Sequence, residues 1–363
     1  MPERAAAEKR RRDAMGRVMG KTEEKKINLA LQGGGSHGAF TWGVLDRLLE
    51  DERVAIDGIS ATSAGAMNGA ALCYGYAVGG RVGARRVLAS LWYGIASITA
   101  PQWLPQTGLH KEVGRLWREY MKAIAPFFSA FQRMSYLMSP YEFNPLNINP
   151  LKQVLEDVID FSILSAGDST IKLYISATNV RTGKIKVFEK SELSAHAVLA
   201  SSCLPMVFHA VEVGGEYYWD GGFMGNPALF PLIYGCDSHD ILVVHINPLE
   251  RAEVPQSAFE ILNRVNEVSF NSSLMREMRA IAYITKLIDD GTITGDNVKR
   301  MYMHGIAADE VLTKLGMVTM MNTDWDFLQE LRDIGRRYAE RWLEATWDRV
   351  GKESTIRIEA LYM

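Results

Sequence analysis

Ile27, Leu29 and Leu31 alternate with polar or small neighbours and run directly into Gly33-Gly34-Gly35, after which Phe40, Val44, Leu45, Leu48 and Leu49 recur at helical spacing. The pattern is a strand, a glycine loop and a helix. It occurs a second time, because Val54 to Ala61 reads as another strand that turns at Thr62 and Ser63 into a helix beginning near Ala64. Two such units in succession leave little choice of architecture, since helices that follow strands carry the chain over to a parallel neighbour. Further strands read at Ile171 to Ala177, Lys184 to Phe188, Tyr217 to Trp219 and Ile241 to Ile246. The expected fold is α/β, a three-layer α/β/α sandwich with a mostly parallel central sheet and a C-terminal helical extension.

The chain has 363 residues, 47% of them hydrophobic, enough for one large core or two modest ones. A net charge of −3 gives no reason to expect a nucleic-acid partner. Cys73, Cys203 and Cys236 lie far apart, without metal-ligand spacing and in odd number, which suits a reducing compartment. No metal or cofactor is expected. Residues 1–25 mix Arg10, Arg11 and Arg12 with Glu8, Asp13, Glu23 and Glu24 and have no apolar stretch, so they read as a mobile, solvated arm and not a secretory signal. Uncharged runs at Gly58 to Gly80 and after Val87 read as buried helix, the second being cut short by Pro101. The expected location is cytoplasmic, with peripheral contact at the inner membrane face.

Residues 101–150 have a different texture. Trp103, Trp117, Tyr120, Phe127, Phe128, Phe131, Tyr136, Tyr141 and Phe143 crowd a segment punctuated by prolines. Packing and a lid-like insertion over an acyl groove are both open readings. The tail, residues 249–363, turns helical: Ile261, Val265, Val268, Met275, Met278, Ile281 and Ile284 follow steps of three and four, and these methionine-rich turns read as packing. A last helix is expected from a capping box of Thr323 with Asp326.

Three motifs carry chemistry. Gly33-Gly34-Gly35-Ser36-His37-Gly38 opens a helix, where backbone N–H groups and the helix dipole favour negative charge. Taken alone it fits an oxyanion hole, a nucleotide phosphate site or a structural turn. A nucleotide site expects an acid ending the second strand, whereas Asp51 and Glu52 precede it. Ala61-Thr62-Ser63-Ala64-Gly65 is a strand-to-helix turn whose small residues permit a nucleophile elbow, with a helix N-cap as the plain alternative. Trp219-Asp220-Gly221-Gly222 is, by itself, a turn.

In this order, with the serine elbow about 25 residues after the glycine loop, the three motifs resemble the patatin-like phospholipase family. Ser176-Ala177-Thr178-Asn179 and Ala200-Ser201-Ser202-Cys203-Leu204-Pro205 add to the resemblance, which spans Lys26 to Pro248 and points to a bacterial member. It implies a patatin-like catalytic domain over residues 26–248. It further implies a lipid acyl-ester hydrolase of phospholipase A, lysophospholipase or lipase type. Ser63 would be the nucleophile and Asp220 its base without an intervening histidine, with an oxyanion hole at Gly33, Gly34, Gly35 and Gly38. Thr62, Ala64 and Gly65 would shape the elbow, and Gly221 and Gly222 the turn after the base. Two departures stand out: Ala61 replaces the usual first glycine of the elbow, and His37 stands where relatives often carry Arg or Lys. His37 is then a donor behind the loop or a space-filler.

Three other readings remain in view. A Ser-His-Asp triad would recruit His209, His239 or His245. A nucleotide-binding α/β protein would use the Gly33–Gly38 loop, and a membrane-associated relative would keep the fold without turnover.

Overall fold

The computed structural model describes residues 24–98, 138–166, 170–293 and 298–363. The charged arm before Glu24 and most of the aromatic segment, including Trp117, Phe127, Phe128 and Phe131, lie outside the described residues.

Strands β1 (Lys25–Leu31), β2 (Val54–Ala61), β3 (Lys172–Asn179), β4 (Ile185–Glu189), β5 (Val211–Val213), β6 (Glu216–Asp220), β7 (Asp240–Val244) and β8 (Tyr302–Ile306) form one sheet among the described residues. Its order is β5-β6-β3-β2-β1-β7-β8, with β4 on the free edge of β3. The pairs β3-β2, β2-β1, β1-β7 and β7-β8 are parallel. Both faces are covered, as a parallel sheet requires. Ile27, Leu29 and Leu31 of β1 point into one core, and Ala30 into the other.

On the first face lie α1 (Gly38–Glu50) and α2 (Ala64–Ser97), the latter broken at Gly79 and Gly80, together with the short α3 (Ala195–Ser201). On the second lies α4 (Ala258–Asp289), which packs Leu274, Met278 and Ile281 against β7. The sandwich is therefore the α/β/α arrangement expected, and its C-terminal part is helical apart from β8. Neither that strand, in which His304 and Gly305 interrupt the apolar run, nor the three-residue β5, in which alternation has little room to show, is among the strands read from the sequence.

Helix α5 (Trp325–Thr346) returns to the first face and crosses α1 at backbone contact. A β-carbon on Gly43 would collide with Arg332 O, and one on Gly335 with Phe40 O. The helix begins one residue later than expected. Asp324, not Thr323, is the N-cap, its Oδ1 accepting from Phe327 N at 3.0 Å. A final turn, α6 (Ile358–Tyr362), brings the wholly buried Tyr362 under the sheet.

What this topology does for the site is visible at β3. Strands β2 and β6 lie end to end along one of its edges: Ala61 pairs with Ile175, and Asp220 with Ala177. Strand β4 occupies the other edge. The antiparallel β6 thus delivers its last residue to the place where β2 gives way to Ser63.

Candidate active site

Ser63 occupies the corner between β2 and α2 with φ 55° and ψ −124°, a conformation that favours glycine and costs a side-chain-bearing residue about 1–3 kcal/mol. The surroundings hold it there. Thr62 N donates to Leu31 O at 3.2 Å, Thr62 Oγ1 to Gly225 O at 2.6 Å, and Ser63 N to Ser201 Oγ at 2.9 Å. The small neighbours matter through their missing atoms. A β-carbon on Gly65 would collide with Leu31 O, and one on Gly38 would stand 2.7 Å from that of Ala64. Ala61, in place of the usual glycine, ends an ordinary strand and is fully buried.

Asp220 is entirely buried. Its main chain is clamped, N to Cys203 O at 2.7 Å and O from Thr178 Oγ1 at 2.8 Å. Oδ1 accepts from Gly222 N at 2.8 Å, while Oδ2 has no hydrogen-bond partner in the structure. Burial raises the carboxyl from its usual range to about 7, even though the Gly222 amide and the neighbouring Ser63 hydroxyl both pull it down. Gly221 fits the turn because a β-carbon there would strike Ser176 O.

The glycine loop is built by residues that sequence reasoning passed over. Gly33 N donates to Asn226 Oδ1 at 2.7 Å, and Gly33 O accepts from Asn247 Nδ2 at 2.6 Å. Gln32 Oε1 accepts from Ile246 N and Asn247 N, and its Nε2 donates to Asn226 O and Asn271 Oδ1. All four side chains are buried. Their signal in the sequence is two Asn-Pro steps placed after Asp-Gly-Gly and after a strand, a weak one without the fold.

Of the four glycines grouped as donors, Gly33 spends its amide on Asn226, and Gly38 caps the short turn Gly35–His37 by donating to Gly35 O and Ser36 O. The amides of Gly34 and Gly35, at the start of that turn, carry no hydrogen bond among the described residues.

His37 is buried and bonds Thr319 Oγ1 at 2.7 Å; burial lowers its ring to about 4, so it is neutral at physiological pH. The three histidines considered for a triad bond elsewhere. His245 Nε2 meets Tyr362 Oη at 2.9 Å, His209 Nε2 meets Pro140 O at 3.1 Å, and His239 Nδ1 meets Arg300 O at 2.8 Å. Asp51 sits at the opposite end of β2, paired with Arg53 at 2.7 Å.

Beside the loop lies a largely apolar cavity of about 400 Å³. Ile246 and Met320 reach it from behind Gly34 and Gly35, Phe223 and Phe270 from behind Gly222, and Leu262 and Leu315 from further out. Among the described residues no group of three or more His, Cys, Asp or Glu is placed to hold a metal, and no helix is long and apolar enough to cross a membrane.

The strands and turns that carry these residues lie in a stretch that a family comparison covers. Residues 29–233 match the family described as patatin-like phospholipase, more than half of the chain. The chain belongs to the patatin-like phospholipase family. No curated protein matches it. A solved structure, VipD from Legionella pneumophila, is similar at 15% sequence identity and a TM-score of 0.35, with 86% of this chain and 67% of that one covered. As a patatin-like protein the chain is a hydrolase of lipid or acyl substrates. The matched stretch contains the glycine loop, the elbow and Asp220, but ends before β7, Asn247 and α4.

Proposed function

We propose that this protein hydrolyses acyl esters of lipids with a Ser63–Asp220 dyad and an oxyanion hole formed by Gly34 and Gly35. One observation carries the reading: a wholly buried carboxylate with one oxygen unengaged lies against a serine held in a strained corner. An ordinary carboxylate near 4 is a poor base, whereas one near 7 is matched to proton transfer at neutral pH.

Asp220 takes the hydroxyl proton as Ser63 Oγ attacks the ester carbonyl. The carbonyl oxygen becomes an oxyanion facing the two free glycine amides, which stabilise it where water is excluded; each such donor contributes about 3 kcal/mol. Asp220 then returns the proton to the departing alcohol. Water repeats the sequence on the acyl-enzyme, and the acid leaves. His37 brings no positive charge to the loop, because burial keeps it neutral.

The acyl chain occupies the apolar cavity beside the loop. Met206 and Met321 line that cavity and are 41% and 51% exposed, which supports peripheral contact with a lipid surface at its mouth. The test is covalent labelling by a fluorophosphonate followed by peptide mapping, together with hydrolysis across a lipid panel for wild type and Ser63→Ala. Label on Ser63 and loss of all turnover in Ser63→Ala are expected. Turnover that survives in Ser63→Ala overturns the reading, and an unlabelled, inactive wild type favours the relative without turnover.

A further inference from the structure

We propose that Asn247 is a positioning residue that aims the Gly34 N–H at the reacting oxygen, acting through the Gly33–Gly34 peptide plane. The inference rests on the oxyanion role given to Gly34 above.

The argument begins with a covalent constraint. The carbonyl of Gly33 and the amide of Gly34 belong to one peptide unit, which is trans here, so the C=O and N–H vectors lie in one plane and point in opposite directions. Whatever fixes the first fixes the second. Asn247 Nδ2 donates to Gly33 O at 2.6 Å from a side chain that is 1% exposed. The Gly34 N–H therefore faces away from Asn247, and no group among the described residues takes it up.

Glycine makes the constraint necessary. A loop of three successive glycines has little steric preference of its own, and a peptide flip between such residues meets no β-carbon. Gly33 is held on both sides: its N–H donates to Asn226 Oδ1, and its C=O accepts from Asn247 Nδ2. Gly34 is boxed in as well, since a β-carbon there would stand 3.0 Å from Ile246 Cγ2. Asn247 is itself located by Gln32, whose Oε1 accepts from Asn247 N at 3.0 Å. An electronic effect acts in the same direction. A hydrogen bond accepted at a peptide carbonyl polarises the unit and strengthens its N–H as a donor.

Asn247 lies beyond the stretch that matches the family, just past the end of β7. The aim of the donor is thus set by a strand that pairs with β1 from the other side of the nucleophile. Because the oxyanion forms only during reaction, misalignment of its donor lowers kcat and leaves KM nearly unchanged.

The experiment compares wild type with Asn247→Asp, which keeps the shape but loses the donor, and Asn247→Ala, which removes the amide. Each is measured per labelled active site for kcat, for KM, for the rate of Ser63 phosphonylation, and for affinity toward a trifluoromethyl ketone against that toward the product acid. Expected is a 10- to 1000-fold fall in kcat and a matching loss of ketone affinity, with product-acid affinity and KM within about threefold of wild type. A variant that loses thermal stability but keeps wild-type kcat and ketone affinity overturns the proposal, because Asn247 is then only a packing residue. Equal losses for ketone and product acid overturn it as well. Wild type that is not labelled on Ser63 overturns the reading of the site, and the proposal with it. If Asn247→Ala does not fold, the isosteric Asn247→Asp alone decides by the same criteria.

Discussion

Gly33 and Ser63 approach so closely that a β-carbon on the glycine would stand 2.5 Å from the serine Cβ and 3.3 Å from its Oγ. The first loop is therefore shaped around the second, and neither moves alone. Gly33→Ala is expected to fold, to lose at least about 100-fold in kcat/KM and to show a lowered melting temperature, because the clash must displace either the elbow or the loop. Activity within tenfold of wild type would mean that the corner yields more easily than its packing implies.

Stability and reactivity should part company at Ser63. Its φ of 55° is comfortable only for glycine, so Ser63→Gly removes the strain while deleting the nucleophile. The expected outcome in thermal unfolding is a melting temperature above that of Ser63→Ala, with no hydrolysis by either. Equal melting temperatures for the two variants would show that the corner carries no strain.

The pH dependence follows from Asp220. In the proposed dyad Asp220 must be ionised to act, so kcat/KM should rise with pH and level off above about 7. Stability should run the other way. A raised carboxyl holds its proton in the folded state while the unfolded chain has released it, so stability is greatest below about 4 and falls as pH rises toward about 7. Asp220→Asn should therefore be inactive and should gain melting temperature over wild type more at pH 8 than at pH 5. More than about a tenth of wild-type kcat remaining in this variant would remove the dyad.

The histidine-dependent alternative predicts a different pattern. His245 spends Nε2 on Tyr362, and burial holds its ring near 4. His245→Gln is expected to keep kcat within about threefold, and Tyr362→Phe likewise, with losses confined to stability. A thousandfold fall in a folded His245→Gln enzyme would restore the triad.

The cavity supplies a test of substrate placement. Leu315 lines it, and Leu315→Trp would fill part of its 400 Å³. The preferred acyl chain should shorten in a series of p-nitrophenyl esters, while turnover of the shortest ester persists. An unchanged chain-length profile would place the acyl group elsewhere.

Much of the fold could be read because the first two strands state their alternation plainly and run without a break into helices. The ends of β2 at Val54 and Ala61 stand where alternation put them. Weaker signals misled or were silent. At the last helix Thr323 and Asp324 are both good caps, and only the geometry separates them. At the site, Ser63 and Asp220 announce themselves through small neighbours and turn glycines. Asn226, Asn247 and Gln32 do not, since a buried amide looks like any surface amide until its partners, roughly 200 residues away in sequence, are known. The proposed oxyanion donors show why a motif is coarser than a structure. Four glycines fit the pattern, and hydrogen bonds to Asn226 and within the short turn leave two of them with amides to offer.

The crossing of α1 and α5 at Gly43 and Gly335 has a consequence for the enzyme's biosynthesis. A nascent chain can pair β1 with β2 early, but the face of α1 around Gly43 stays open until α5 has left the ribosome, because that face meets Gly335 at backbone distance. A hydrolase assembled in this order has its first two strands and the Ser63 corner made long before the core over α1 can close.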